Sequence, residues 1–321
     1  MTKSTIQLGQ LSFSVGDAEN IPLAEQFATE FRSRVYGRAK QRKRAYVLVN
    51  PNSGPGGATK SWKKEVKPLF DAARMELDVV ILTKGGEATD LVEKMDIDKY
   101  DTVVACSGDG TPHEIFNGLA KRPDARKALS NIAVSHIPCG SGNAMALNLY
   151  GSNRPVVAAV GIIKGVVTPL DLVSITQGSN RYVSFLSQAL GIIAESDLGT
   201  ENLRWMGSKR FELGLILRIY QKKCYPCDLA VKVEVADKNG VKSHYRRHQE
   251  NVPQPVSTNG QAGESEGQPE SGGLPELKHG TINDDISALD GWETLNSDTI
   301  GNFYCGNVSA GYELPRRAPL N

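Results

Sequence analysis

The chain has 321 residues, 40% hydrophobic and 23% charged, with 37 Lys and Arg against 36 Asp and Glu. That length supports two domains and at least one sizeable core, and a formal net charge of +1 excludes a chain built by bulk electrostatics around nucleic acid. No run of about 18 apolar residues occurs and the first twenty residues are polar, so neither a transmembrane helix nor a secretory leader is expected, and any membrane contact is peripheral.

Residues 1–40 read as an N-terminal extension. Within it, 21–36 carry Leu23, Phe27, Phe31 and Val35 at a spacing of four, which predicts an amphipathic helix packed on its own domain. The basic cluster Gln41-Arg42-Lys43-Arg44 reads as a solvated entry to the first strand. From residue 45 strands and helices alternate. Strands are predicted at 45–49, 77–83, 102–106, 132–137 and 170–175. Helices are predicted at 61–73, 87–95, 112–120, 145–149 and 156–164, with Pro112 suited to a first turn. This spacing implies an α/β domain over 41–180 with a mostly parallel sheet and helices on both faces.

Beyond 180 the texture changes. Strands are expected at 182–186, 190–194, 229–235 and 300–305, and an apolar helix at 211–220. Residues 237–286 are rich in Gly, Pro, Ser, Glu and Gln and are expected to be a disordered insertion. Residues 181–321 are therefore read as a β-rich, sandwich-like second domain, incomplete at its C-terminal end. Five cysteines (Cys106, Cys139, Cys224, Cys227 and Cys305) form an odd set without secretory context, which favours reduced thiols and a cytoplasmic setting. Cys224 and Cys227 have metal-ligand spacing but no second Cys or His pair at a useful distance, so no metal ligand is assigned.

Three glycine-bearing turns follow predicted strands, at the carboxyl edge where such sheets bind ligands. The first, 50–57, runs into Gly54-Pro55-Gly56-Gly57-Ala58-Thr59-Lys60-Ser61. That is close to a Walker A loop, but Thr59 stands where the second glycine belongs, which favours a looser phosphate-contacting loop. The second is Ser107-Gly108-Asp109-Gly110-Thr111, followed by His113-Glu114 and Asn117-Gly118. Glycines let backbone N–H groups approach a phosphate, and a carboxylate held between them suits a general base on an attacking hydroxyl. The third is Cys139-Gly140-Ser141-Gly142-Asn143, ahead of a helix. Together the three imply one phosphate-handling cleft.

These residues carry a resemblance. Asn50-Pro51, Ser107-Gly108-Asp109-Gly110 with His113-Glu114 and Asn117-Gly118-Leu119, the turn from Pro138 to Ala144, and Gly191-Ile192-Ile193-Ala194-Glu195-Ser196-Asp197 with Glu201, Arg204, Met206-Gly207 and Arg210-Phe211 resemble the diacylglycerol kinase catalytic superfamily. Within it they are most similar to the sphingosine (long-chain base) kinases. The likeness covers roughly 44–235 and resumes around 292–307. It implies an ATP- and Mg²⁺-dependent lipid kinase acting on a sphingoid base, with a nucleotide-binding domain at 41–180 and a lipid-binding domain after it. Asp109 would be the catalytic base. Asn50, Pro51, Asn52, Thr83, Glu114, Gly140, Ser141, Gly142, Arg204 and Arg210 would form the ATP site. Ser107, Gly108, Asp109, Gly110 and Asp197 would meet the lipid, Asp197 pairing with its ammonium and hydroxyl head. Phe185, Leu186, Ile192, Ile193, Phe211, Leu213 and Leu217 are read as tail-pocket wall or as core. Peripheral membrane association from the cytoplasm is implied, a homodimer is compatible, and a nucleic-acid partner is not expected. The Asp-Gly-Glu or Asp-Gly-Asp element usual late in the family's second domain has no counterpart in context. A weakly active or inactive lipid or nucleotide binder therefore stands as an alternative, as does a diacylglycerol or NAD kinase.

Overall fold

The computed structural model describes residues 14–207, 209–251, 272–279 and 290–307, with 6, 8–10 and 12. These divide into two compact units parted between Pro169 and Leu170, about ten residues before the boundary expected from texture. Residues 272 and 273 belong with the first unit, and 274–279 and 290–307 with the second.

The first unit opens with α1 (Ile21–Tyr36). The helix forms where the periodicity predicts, but none of its residues is buried. Leu23, Phe27 and Phe31 remain 66%, 68% and 59% exposed, so the expected packing on its own domain is not found. There follow β1 (Arg44–Val49), α2 (Ala58–Ser61), a π turn (Trp62–Val66), α3 (Lys67–Ala72), β2 (Glu76–Ile81), α4 (Glu87–Lys94) and β3 (Thr102–Ser107). The unit continues through α5 (Gly110–Ala120), α6 (Ala125–Asn131), β4 (Ala133–Pro138), α7 (Ala144–Tyr150) and α8 (Pro155–Lys164). The strands form one parallel sheet in the order β2-β1-β3-β4.

Strands buried on both faces read as continuous apolar runs, and β3 is buried at all six positions. Val47, Val49, Val104 and Ile137 pack with Trp62, Phe70, Ala158 and Ile162 on one face. Leu48, Val103 and Ala105 pack with Val92, Ile115, Leu119 and Ala128 on the other. Each Val, Leu, Ile or Phe among them contributes roughly 1.5–3 kcal/mol through burial. The chain leaves β1 towards β2 on one side and returns as β3 on the other. The carboxyl ends of β1 and β3 therefore flank the crevice where parallel sheets bind ligands.

The second unit contains β5 (Val173–Gln177), β6 (Asn180–Ser184), β7 (Ser187–Gly191), α9 (Ile192–Leu198), a 3₁₀ turn (Glu201–Met206), α10 (Lys209–Tyr220), β8 (Cys227–Lys232), α11 (Lys238–Asn251), β9 (Trp292–Ser297) and β10 (Asn302–Gly306). Its strands pair antiparallel as β5–β6, β7–β10 and β8–β9. Two expectations change here. The strand predicted at 190–194 stops at Gly191, whose φ of 98° turns the chain into α9. Apolar residues alone do not separate a short strand from a helix start. The segment expected to be disordered from 237 begins instead with α11, where the Asp237 carboxylate accepts the Gly240 N–H at 2.7 Å. An N-terminal cap followed by Lys, Arg, Gln and Glu is favourable helix sequence even with little to bury. Residues 252–271, 280–289 and 308–321 lie outside the described residues, and with them most of that insertion and the end expected to be incomplete.

Candidate active site

The three glycine turns of the first unit meet backbone to backbone. A Cβ at Gly140 would lie 2.3 Å from the Gly108 Cα, and one at Gly54 2.9 Å from the Cys139 carbonyl oxygen. No side chain fits in either place without moving main chain. The loops are also tied polar to polar. Asn50 N–H donates to the Cys106 carbonyl at 3.1 Å, and Gly108 N–H donates to Ser53 Oγ at 3.3 Å. Asn143 Oδ1 accepts the Gly140 N–H at 2.9 Å while its Nδ2 donates to the Gly140 carbonyl at 3.1 Å. Asn50 Oδ1 accepts the Asn52 N–H at 3.0 Å, which shapes the turn through Pro51. Ser141 Oγ is buried and has no hydrogen-bond partner in the protein. A buried hydroxyl without a partner is costly, and an oxygen-rich ligand in this cradle would satisfy it.

Asp109 opens α5. Its carboxylate accepts the Ala144 N–H at 2.9 Å and the Met145 N–H at 3.0 Å, so it caps α7 from another loop. The side chain is 20% exposed, held by two donors and still open on one side. Behind it lies His136 of β4, wholly buried. Its Nε2 donates to the Ser107 carbonyl at 2.9 Å, and its Nδ1 stands 3.9 Å from Asp109 Oδ1. Burial pushes the imidazole below its usual value and the Asp109 charge only partly offsets this, so the ring is neutral. Ser107 is buried, its hydroxyl donating to the Gly108 carbonyl at 2.8 Å. His113 is pushed down by burial, Glu114 pulling the other way. The side chain of Asn117 reaches back to the His113 carbonyl at 2.8 Å.

Two expected nucleotide contacts are engaged elsewhere. Glu114 Oε2 accepts the Ala88 N–H at 3.2 Å, and its carbonyl accepts from Thr89 Oγ at 3.2 Å, so it ties α5 to the start of α4. The Thr83 hydroxyl, just past β2, donates to Glu87 at 2.8 Å. Ser53, His136 and the amides of Ala144 and Met145 are not among the residues expected from sequence. Ser53 sits inside an expected loop and was legible in principle. His136 carries no local motif, and its place beside Asp109 comes only from the pairing of β3 with β4.

In the second unit Asp197 of α9, with Ile193, Ala194 and Leu198, lines an open hollow of about 230 Å³ bordered by Ser187 and Ala189 of β7 and Tyr304 of β10. Arg210 does not stand free. Its guanidinium donates to the Asp197 carboxylate at 2.5 Å, to the Asp197 carbonyl at 2.9 Å and to Thr200 Oγ1 at 3.1 Å, and it stacks on Phe211 at 4.1 Å. Asp197 keeps 48% of its side-chain surface exposed. Arg204 lies on the Glu201–Met206 turn, and its side chain is outside the described ones. Ile193 lines the hollow, Phe185 is core, and Leu213 and Leu217 are exposed on α10. Among the described residues no group of three His, Cys, Asp or Glu side chains is placed to hold a metal ion. No helix among them is long and apolar enough to cross a membrane.

Residues 44–175 match the family model of the diacylglycerol kinase catalytic domain. Sphingoid long chain base kinase 5 of Saccharomyces cerevisiae is 44% identical over 228 residues, 70% of this chain and 33% of that protein. Sphingoid long chain base kinase 4 of Schizosaccharomyces pombe is 34% identical over 235 residues, 73% of this chain and 51% of that protein. Sphingosine kinase 1 of Homo sapiens is 34% identical over 197 residues, 58% and 51% respectively. The chain thus spans between 33% and 51% of the length of these curated relatives. A crystal structure of a diacylglycerol kinase from Bacillus anthracis aligns with a TM-score of 0.43 at 24% identity, covering 59% of this chain and 58% of that one.

Proposed function

With residues 44–175 belonging to the diacylglycerol kinase catalytic domain family, we propose that this chain transfers the γ-phosphate of ATP to the primary hydroxyl of a sphingoid base. The observation that carries this reading is the convergence of the 50–57, 107–110 and 140–143 turns around the Asp109 carboxylate. Phosphoryl transfer asks the protein mainly for positioning and charge stabilisation, and bare main chain packed around one carboxylate suits that task. Asp109 takes the proton of the lipid hydroxyl as that oxygen attacks phosphorus. Gly108 and Gly140 let the turns close on one another, and Ser141 Oγ, buried without a partner, turns to the nucleotide. Mg²⁺ fits as a passenger of the nucleotide, since it keeps its waters and phosphate ligands and needs only one or two protein carboxylates.

The substrate class rests on the second unit and the relatives. Three relatives are named as sphingoid base or sphingosine kinases. Asp197 offers a half-exposed carboxylate beside Ile193, Leu198 and Tyr304, and a carboxylate next to an apolar wall suits an ammonium head on an alkyl chain. Such a substrate is reached at a membrane surface, so the protein works there peripherally, from the cytoplasm. The test is phosphate transfer from labelled ATP to sphinganine, diacylglycerol and NAD offered separately. Sphinganine phosphate is the expected product. Transfer to NAD or diacylglycerol alone overturns the substrate, and transfer to none of them overturns the activity.

A further inference from the structure

His136 is the one wholly buried imidazole of the first unit among the described residues, and its two nitrogens are treated differently. The Ser107 carbonyl can only accept, so Nε2 carries the proton in the neutral ring. Nδ1 is then a lone pair with no hydrogen-bond partner, and Asp109 Oδ1 stands 3.9 Å from it. While Asp109 is a carboxylate, two acceptors face each other and no bond forms. Once Asp109 has gained a proton, the same pair becomes donor and acceptor.

We propose that His136 is a positioning residue for the base, accepting through Nδ1 a hydrogen bond from the Asp109 carboxyl group after it has taken the substrate proton. This rests on the kinase reading above. The substrate O–H breaks as its oxygen bonds to phosphorus, and the proton moves to Asp109. The new carboxyl O–H turns to Nδ1, and ADP departs with the electrons of the broken P–O bond. The imidazole stays neutral throughout, consistent with burial holding it below its usual value. The contact is absent before proton transfer and present after it, which is the kind of interaction that speeds a chemical step rather than substrate binding. The titratable groups facing His136 are Asp109 and, from α7, the Tyr150 hydroxyl. Burial raises that hydroxyl to about 12, and it lies against the His136 backbone and the Ser135 side chain. Tyr150 therefore does not ionise in the working range.

Two variants separate this from a packing role. His136→Gln keeps an amide donor towards the Ser107 carbonyl but places no acceptor at the Nδ1 position. His136→Asn places its amide oxygen near that position and gives up the Ser107 contact. With the full chain, ATP and sphinganine, Gln is expected to lower kcat about tenfold, the worth of one hydrogen bond. KM is unchanged, because the contact is made only after proton transfer. Asn restores most of kcat. Equal losses in both variants, or a rise in KM in place of the fall in kcat, overturn the proposal.

A second readout needs no turnover, so it stands even if the lipid kinase reading fails. By ¹⁵N NMR of the full chain at neutral pH, Nε2 of His136 is expected to be protonated and Nδ1 bare. A proton on Nδ1 at neutral pH overturns the proposal independently of activity.

Discussion

In the first unit three turns meet main chain to main chain, with Gly140 so close to Gly108 that a single methyl group would sit 2.3 Å from its Cα. In the second unit the corresponding candidate groups are side chains. Asp197 and Arg210 are joined at 2.5 Å and bordered by an open hollow. The first arrangement is rigid because it hangs from a parallel sheet buried on both faces. The second rests on two-stranded pairs and on helices such as α10, where Ile216, Leu217 and Tyr220 are 65%, 51% and 88% exposed. A phosphate cradle has to be shaped before its ligand arrives, whereas a lipid chain is met by apolar surface that tolerates adjustment. Perturbing the first unit should therefore remove activity or folding outright, and perturbing the second should mostly change how well the lipid is held.

The largest expected effect is on chemistry. Asp109→Asn removes the base and leaves one acceptor where two carboxylate oxygens take the Ala144 and Met145 amides, so transfer falls about 10²–10⁴-fold at a stability cost of about 1 kcal/mol. Activity within tenfold of wild type would assign the proton to another group. Gly140→Ala comes next. The added methyl must push main chain apart at Gly108 and at the Gly142 carbonyl, and overpacking of this kind costs about 1–3 kcal/mol or more. Urea unfolding should show the loss, and ATP binding should weaken with it. A variant as stable and as tight as wild type would mean that the turns do not meet as described.

Asp197→Asn tests the softer half. It keeps the hollow and an acceptor for Arg210 but removes the charge offered to an ammonium. KM for sphinganine should rise about tenfold, the scale of one charge-assisted contact, while KM for ATP stays put. A rise in the ATP constant instead would place Asp197 and Arg210 on the nucleotide side, the role first expected of Arg210.

How far the sequence foretold this differs between the units for the same reason. In the first unit the apolar runs of β1 and β3 and the glycines at 54, 108 and 140 are local signals, and each predicted helix lies within a few residues of its expected place, while α6 (Ala125–Asn131) is not among the predicted elements. Asp109 is legible because a carboxylate between two glycines has few other uses. Its tie to the α7 amides and its neighbour His136 are not, because both depend on β4 lying beside β3. In the second unit, residues 190–194 show apolar character without period, and only the backbone turn at Gly191 decides that a helix starts there. The bond of Arg210 to Asp197 is not legible either, because an arginine's charge shows in sequence and its partner does not. The same holds for Glu114, whose partner, the Ala88 amide, is 26 positions away in the chain. Leu23, Phe27 and Phe31 show the converse, a correct helix whose expected packing does not follow from its periodicity.

The smallest expected effect compares one carboxylate from each unit. Asp101 joins the starts of β1 and β3. Burial raises its value, but the Arg44 N–H at 2.9 Å, Lys40 at 2.8 Å and the Arg44 guanidinium at 3.2 Å outweigh this and hold it below the usual range. A carboxylate held low in the folded state adds stability above its unfolded value and loses it as pH falls through the folded one. Asp101→Asn should therefore cost about 1 kcal/mol at pH 7, discounted for the exposed Lys40. The gap from wild type should close as pH drops below about 4. Glu195 of α9 is also held low, first by the hydrogen bond from Lys223, but it lies at the surface, where solvent and salt screen such pairs. Glu195→Gln should leave the melting temperature unchanged at every pH. A pH-dependent loss there as large as at Asp101 would show that a surface carboxylate fastens the second unit as firmly, and the contrast between the two halves would fail.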